Sequence, residues 1–224
     1  MTPRSSSVLV GIAALWVGAA VAGETAEAKA AEAPATTAET LPEEGPIPYG
    51  LAGDIACAPC GVDVDRKAAS TTLKGYPVDK ALDEDVSSAW CEGVDGAGVG
   101  SWIEVGWNEP RTVAGFEFVG GYAKSWALLE ANARVKTVTV FADGKATNRV
   151  TLQDPLTTKP KDAKEEPGGL DYGTLWPALF GPGLGDRQAT TIRLRIDAVY
   201  PGSKYQDTCV STWTVYSVDP AELE

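Results

Sequence analysis

The side chains with chemistry to offer here are carboxylates, cysteines and aromatic rings, because the chain contains no histidine. Without His there is no Ser-His-Asp triad, no Cys-His pair and no His-ligated zinc hydrolase, so paired carboxylates are the main remaining route to catalysis. Glu92, Asp95, Glu104 and Asp207 are the acids from which a glycosidase-type pair would be drawn. Acids are abundant, 31 against 19 basic residues, and spacing alone selects no pair among them. The stretch DEDVSSAWCEGVDGAGVGSWIEV (83–105) combines acids, small hydroxyls, two tryptophans and close-set glycines, and is answered by AVYPGSKYQDTCVS (198–211). Such composition reads as a shaped loop feeding a strand, a surface for binding and not a reaction centre. The reading is therefore that the protein is not an enzyme.

Cys57, Cys60, Cys91 and Cys209 are the four cysteines, a number that suits an exported protein with two disulfides in one of three pairings. The spacing Cys57-x-x-Cys60 also matches a redox motif, but a thioredoxin-like site follows a strand and opens a helix, which APCGVDVD does not. The same four thiols could in principle hold zinc, but an oxidising compartment disfavours that. The favoured reading pairs Cys57 and Cys60 with Cys91 and Cys209, stapling the start of the domain to its sheet and C-terminal strand.

These residues need elements to hold them, and the periodicity is that of strands. GSWIEVGW (100–107), AGFEFVGG (114–121), ARVKTVTVFAD (133–143), ATTIRLRIDAVY (189–200) and CVSTWTVYSV (209–218) alternate apolar and polar positions, with turn residues between them. Val135, Val138, Val140, Ile192, Leu194 and Ile196 are the expected core. Asp143–Gly144 marks a hairpin turn before a short strand around residues 150–152. Only YAKSWALLEANAR (122–134) has a helical look. Short strands punctuated by Gly and Pro indicate an all-β, antiparallel sandwich or jelly roll.

The N-terminus speaks to compartment. Arg4 precedes an apolar run of about 14 residues (8–21) and an A-x-A pattern at Ala20–Ala22, which reads as a secretory signal peptide over residues 1–22. The run is shorter than the roughly 20 residues that span a bilayer, and no later run is long enough, so the exported chain is not membrane-spanning. Residues 23–54 are rich in Ala, Glu, Thr and Pro and read as an extended, disordered linker. Residues 55–220 are of a size for one domain with a substantial core. A net charge of −12 excludes nucleic acid as a partner, since phosphate binding needs clustered Lys and Arg. The segment 157–187 breaks the strand rhythm as a long insertion, and its Leu175, Trp176, Leu179 and Phe180 are expected to pack onto the sandwich.

The segments ASTTLKGYPVDKALDEDVSSAWCEGVDGAGVGSWIEV, FVGGYAKSWALLEANARVKTVTVFADG and VYPGSKYQDTCVS occur in this order. Together, over about residues 69–217, they resemble the NADase-type glycan-binding domain, the discoidin-like (F5/8 type C) module named for the translocation domain of a secreted NAD glycohydrolase. The resemblance implies a discoidin-like jelly-roll β-sandwich, galactose-binding-domain-like, with binding loops at one end. It implies carbohydrate recognition without catalysis, with a glycan or glycoconjugate as partner. A structural or adhesive role, binding an envelope protein, is the alternative.

Residue by residue, LDEDVSSAW resembles the family's D-G-D-x-x-T-A-W turn, with Glu84 in place of Gly and Ser88 in place of Thr. In discoidin-like folds this turn can hold a structural calcium, for which Asp83 and Asp85 would be ligands; no other cofactor is implied. The family's closing Ser-Glu pair reads Ser211–Thr212, one carboxylate fewer, so an Asx turn capped by hydroxyls stands beside the calcium reading. GGYAKSWALLEANAR resembles the family's N-G-Y-x-K-S and following N-x-R signature. Its Tyr122, Lys124, Trp126, Asn132 and Arg134, with Glu92, Tyr205 and Asp207, are the expected glycan contacts. Asn132 and Arg134 have a second reading, in which they satisfy buried loop backbone. Trp90, Trp102, Trp107 and Tyr200 are further aromatic candidates for stacking on sugar, with core roles favoured for the three tryptophans.

Overall fold

The computed structural model describes residues 43–47, 63–159 and 188–218. The signal segment 1–22, Cys57, Cys60 and the apolar residues of the insertion lie outside these. In chain order the strands are β1 (Glu43–Ile47), β2 (Arg66–Ala69), β3 (Trp90–Cys91), β4 (Trp102–Val119), β5 (Arg134–Ala142), β6 (Lys145–Leu152), β7 (Gln188–Tyr200), β8 (Cys209–Val210) and β9 (Thr212–Val218), with one helix, α1 (Trp126–Ala131). Six strands run in the order β1-β6-β5-β7-β4-β2, β9 joins β4, and β3 pairs separately with β8. All these pairings are antiparallel except β1 with β6.

The two strands expected over 100–107 and 114–121 are a single strand, β4. Its first half pairs with β2 and β7, its second half with β9, and the register with β7 shifts between Gly106 and Arg111. Asn108, Glu109 and Pro110 lie in that break, where an exposed edge tolerates a proline that lacks a ladder donor. One strand therefore serves both layers. Ile103, Val105 and Trp107 from one half and Phe116 and Phe118 from the other enclose a common core with Val138, Val140, Ile192, Leu194, Ile196, Trp213 and Val215. The core positions read from alternation all fall inside it.

A second difference concerns the linker. Glu43–Ile47, inside the stretch read as an extended tether, pairs in parallel with β6. The physical reason is the edge: β6 has β5 on one side only, and an open row of backbone donors and acceptors recruits a five-residue segment that composition alone marks as unstructured.

The outward face of the sheet is closed by its own charges. The Arg193 guanidinium lies 3.9 Å from the centre of the Trp102 ring and pairs with Glu104 at 2.8 Å, while Arg195 stacks on Phe141 and pairs with Asp197 at 2.9 Å. Trp102 is thereby covered by a cation rather than offered to a ligand.

The β5–β6 hairpin turns where expected, at Asp143 (φ 49°) and Gly144 (φ 77°). Asp143 Oδ1 accepts from the amides of Thr190 and Thr191, both at 2.9 Å, and from the Thr190 hydroxyl at 2.7 Å, tying the turn to β7. Burial pushes the Asp143 carboxyl up, but the Thr190 and Thr191 hydrogen bonds together outweigh it and hold the group below its usual value. A carboxyl depressed in the folded state adds stability above its unfolded value, and that increment is lost as pH falls through the folded value. Asp143→Asn, which keeps a side chain tolerant of the left-handed turn, should be less stable than wild type at pH 7. Urea midpoints of the two should converge as the solution is taken acidic of the carboxylate range.

Candidate functional site

Four loops meet at the end of the sandwich marked by α1. The segment 201–208 is fastened to α1 by amides of Ser203, Lys204 and Tyr205, which donate to the carbonyls of Glu130 and Ala131 at 2.8–3.0 Å. Ala133 donates to the carbonyl of Asp207 at 3.0 Å, and Ala123 to the hydroxyl of Ser211 at 2.9 Å. The two stretches 122–134 and 200–211, far apart in the sequence, are thus one surface.

A disulfide between Cys91 and Cys209 joins β3 to β8 beneath this surface. The expected staple of Cys57 and Cys60 to these two residues is therefore overturned: each already has its partner, because the two-residue ladder places Cys91 and Cys209 opposite each other. Ala89 packs with the disulfide, and Leu73, Tyr76 and Tyr122 lean on it half-buried.

Several residues expected to touch a ligand are instead occupied inside the protein. Glu92 is 0% exposed; its Oε2 accepts from Val94 N at 2.8 Å and its Oε1 from Thr208 N at 3.0 Å. Arg134, 4% exposed, donates from Nε and Nη2 to both oxygens of Asp154 at 2.8 and 2.9 Å, and from Nη1 to the carbonyls of Leu129 and Asn132. Asn132 closes α1, its Nδ2 donating to Leu128 O at 2.9 Å. Both satisfy loop backbone, the second of the two readings given above. Trp126 is buried at the start of α1, behind the Ser125 cap. Trp90 and Trp107 are core, their indoles donating to Thr71 O and Asp63 O, and the Tyr200 hydroxyl donates to Leu152 O at 2.8 Å.

What remains at the surface is a smaller set. Tyr122 is half-buried and meets Tyr76 edge-on, ring centres 5.8 Å apart; burial first, and then Tyr76, pushes its hydroxyl pKa up. Lys124 is exposed beside it, Tyr205 is 42% exposed with the Lys204 ammonium 4.8 Å from its ring centre, and Asp207 is half-buried. Tyr76 was not anticipated. Its only signal was the turn KGYP, where a tyrosine next to Pro77 has no pattern to distinguish surface from core.

Residues 60–216 match the NAD glycohydrolase translocation F5/8 type C domain. The chain belongs to this family. No curated protein matches it. Among solved structures, one containing the CBM32-1, CBM32-2 and M60 catalytic domains of ZmpB from Clostridium perfringens is similar over 84% of this chain and 18% of its own, at 15% identity and a TM-score of 0.50. CBM32-3 of a family 31 glycoside hydrolase from the same organism is similar over 67% of this chain and 88% of its own, at 11% identity and a TM-score of 0.47. The family 32 module of its NanJ, solved with galactose, covers 67% and 92%, at 12% identity and a TM-score of 0.44. The first of these likenesses supports the discoidin-like sandwich seen here.

The acidic turn of this F5/8 type C domain is closed by hydrogen bonds. Asp83 accepts from Asp85 N at 3.1 Å and from the Ser88 hydroxyl at 2.9 Å, and faces the Lys80 ammonium at 3.2 Å. Asp85 accepts from the amide and hydroxyl of Ser87, chiefly the hydroxyl, which holds its carboxyl below the usual value. Among the described residues no three acids or cysteines converge on a point, and Thr212, at the family's acidic position, is buried. An ammonium where a cation would sit, and carboxylates already engaged, do not fit a calcium cage. Calcium added after chelator treatment should leave the thermal midpoint of the purified domain unchanged.

The loop 93–100 wraps over buried Glu92. Gly98 has φ +63°, and a Cβ there would stand 2.3 Å from Glu92 Cγ. Gly98→Ala should destabilise the domain by about 2 kcal/mol or more, from strain and overpacking together, read as a lower denaturant midpoint.

Proposed function

We propose that this F5/8 type C domain is an exported, non-catalytic carbohydrate-binding module that receives a glycan on the surface formed by Tyr122, Tyr76, Lys124, Tyr205 and Asp207. The observation that carries the reading is Tyr122: half-exposed, braced by Tyr76, rooted on the Cys91–Cys209 disulfide, and flanked by exposed polar groups. An aromatic face held rigid beside donors and acceptors suits a pyranose, which has one apolar face and a rim of hydroxyls. Membership of the family and the sandwich fold support it. Export is supported by the signal-like N-terminus and by a disulfide, which persists in oxidising compartments.

The test is glycan retention by wild type beside Tyr122→Ala and Tyr205→Ala, with galactose among the first probes. An aromatic contact contributes about 1 kcal/mol, so each variant should bind about fivefold more weakly or worse, and no sugar should be released from any retained glycan. Blank arrays, or equal retention by all three proteins, would remove this site.

A further inference from the structure

The order of the strands bears on the outward face of the sheet, independently of the glycan surface. β1 lies at one edge and β2 at the other, with β6, β5, β7 and β4 between them. Only residues 48–62 separate Ile47, where β1 ends, from Asp63, which leads into β2. β1 ends toward the loop end of the sheet, where Ile47 is level with Leu152. β2 is entered from the opposite end, where Arg66 is level with Gly106 and, through β7, with the turn at Asp143. The chain must therefore pass from one corner of the sheet to the diagonal one.

Distance selects the route. Five strand spacings of about 4.8 Å make roughly 24 Å across, and roughly eight residues of about 3.3 Å make a similar distance along the strands, so the diagonal is about 35 Å. The sixteen steps from Ile47 to Asp63 reach at most about 55 Å when fully extended. The inner face is filled by the core. Skirting an end of the sheet and then its edge takes about 50 Å before any clearance for side chains, which a chain short of full extension does not have. Crossing the outward face is the route that fits. The insertion 160–187 also joins the two ends of the sheet, but its 28 residues make a smaller lateral step, so its length imposes no path.

The face along this diagonal suits such a segment. Thr137 and Thr139, on the outward side of β5, are only 6% and 2% exposed, although an uncovered sheet face stands in water. Thr139 is hydrogen-bonded to Asp197, while Thr137 meets the Thr151 hydroxyl at 3.4 Å, a contact too small to hide it. Further along, Arg149, Arg193 and Arg195 stand against Asp197 and Glu104, three cations to two anions. Residues 48–62, PYGLAGDIACAPCGV, carry a single charge, Asp54, among small and apolar residues, unlike the glutamate-rich stretch before them. Seven steps after Ile47 in a path of sixteen, Asp54 falls near the middle of the diagonal, at β5 and β7, where the surplus cation is.

We infer that the outward face of β5, β7 and β4 is the docking surface for residues 48–62 of the same chain, with Asp54 set among these arginines. The Cys57-x-x-Cys60 pair is thereby carried over β7 and β4, away from Cys91 and Cys209, which are bonded to each other.

The experiment places the photoreactive residue p-benzoylphenylalanine at Leu51 or at Ile55 in the otherwise intact chain. After irradiation, peptide mapping should find intrachain cross-links to Thr137–Phe141, Arg193–Asp197 or Trp102–Glu104. Hydrogen exchange of the 43–47 peptide gives a second readout. Deleting Gly50–Ala52 leaves thirteen steps, about 45 Å, enough for the diagonal and too few for either end. Protection of 43–47 should then stay within about twofold of wild type. Deleting Tyr49–Ala56 leaves eight steps, about 27 Å, too few for any route, and protection should fall at least about tenfold. Cross-links confined to the loop end, to the 143–145 turn or to a second copy would overturn the inference. So would no cross-link, lost protection in the shorter deletion, or kept protection in the longer one.

Discussion

The sharing of β4 between both layers is the constraint on which this fold depends. A strand of 18 residues is too long to remain in one twisted layer, and the break between Gly106 and Arg111 lets it leave β7 and β2 and continue with β9. The two inner faces are consequently covalently continuous, and the core is enclosed between halves of one strand. The same geometry opens an edge between β2 and β9, because the partners of the two halves lie on different layers. That edge is where the 78–84 segment and a cavity are found.

At the other end the structure is organised around two buried groups instead of a sheet. The Cys91–Cys209 bond links positions 118 residues apart, and the adjacent Glu92 carboxylate accepts from backbone of both loops it touches. A buried carboxylate is tolerated only when hydrogen bonds replace its water. Here that requirement forces 93–100 and the Thr208 region into one arrangement, reinforced by the Thr208 hydroxyl donating to Ala97 O at 2.8 Å. Rigid loops lower the entropy lost when a ligand docks, so the burial of Glu92 acts on the surface without belonging to it.

Alternation made the sheet legible: the cores of β5 and β7 are the residues that a two-residue period selects, and the Asp143–Gly144 turn follows from residue types that accept positive φ. The pairing partners were not legible, because β1 and the continuity of β4 are decided by which edges are open in three dimensions. The same holds at the site. Residue type nominated Glu92, Arg134 and Tyr122 equally, since a carboxylate, a guanidinium and a phenol all suit sugar hydroxyls. Only the fold distinguishes the first two, surrounded by backbone donors and acceptors, from the third. Asp154, which neutralises Arg134 from 20 positions away, has no local signal of its own. The resemblance puts Glu84 where the family has glycine, and the left-handed conformation at Glu84 is one that glycine adopts without strain.

The distribution of aromatic residues shows how this domain separates stability from recognition. Of the five tryptophans among the described residues, Trp90, Trp107, Trp126 and Trp213 are buried and Trp102 lies beneath Arg193. The rings left at the loop end are tyrosines, Tyr76, Tyr122 and Tyr205. Indole gives the larger apolar area and offers only a donor, so it serves a core best where a carbonyl such as Asp63 O or Thr71 O can receive its N–H. A phenol both donates and accepts, which lets a half-exposed ring satisfy its hydroxyl with a neighbour or with water. Trp213 departs from this division, as a core indole without an acceptor among the described residues.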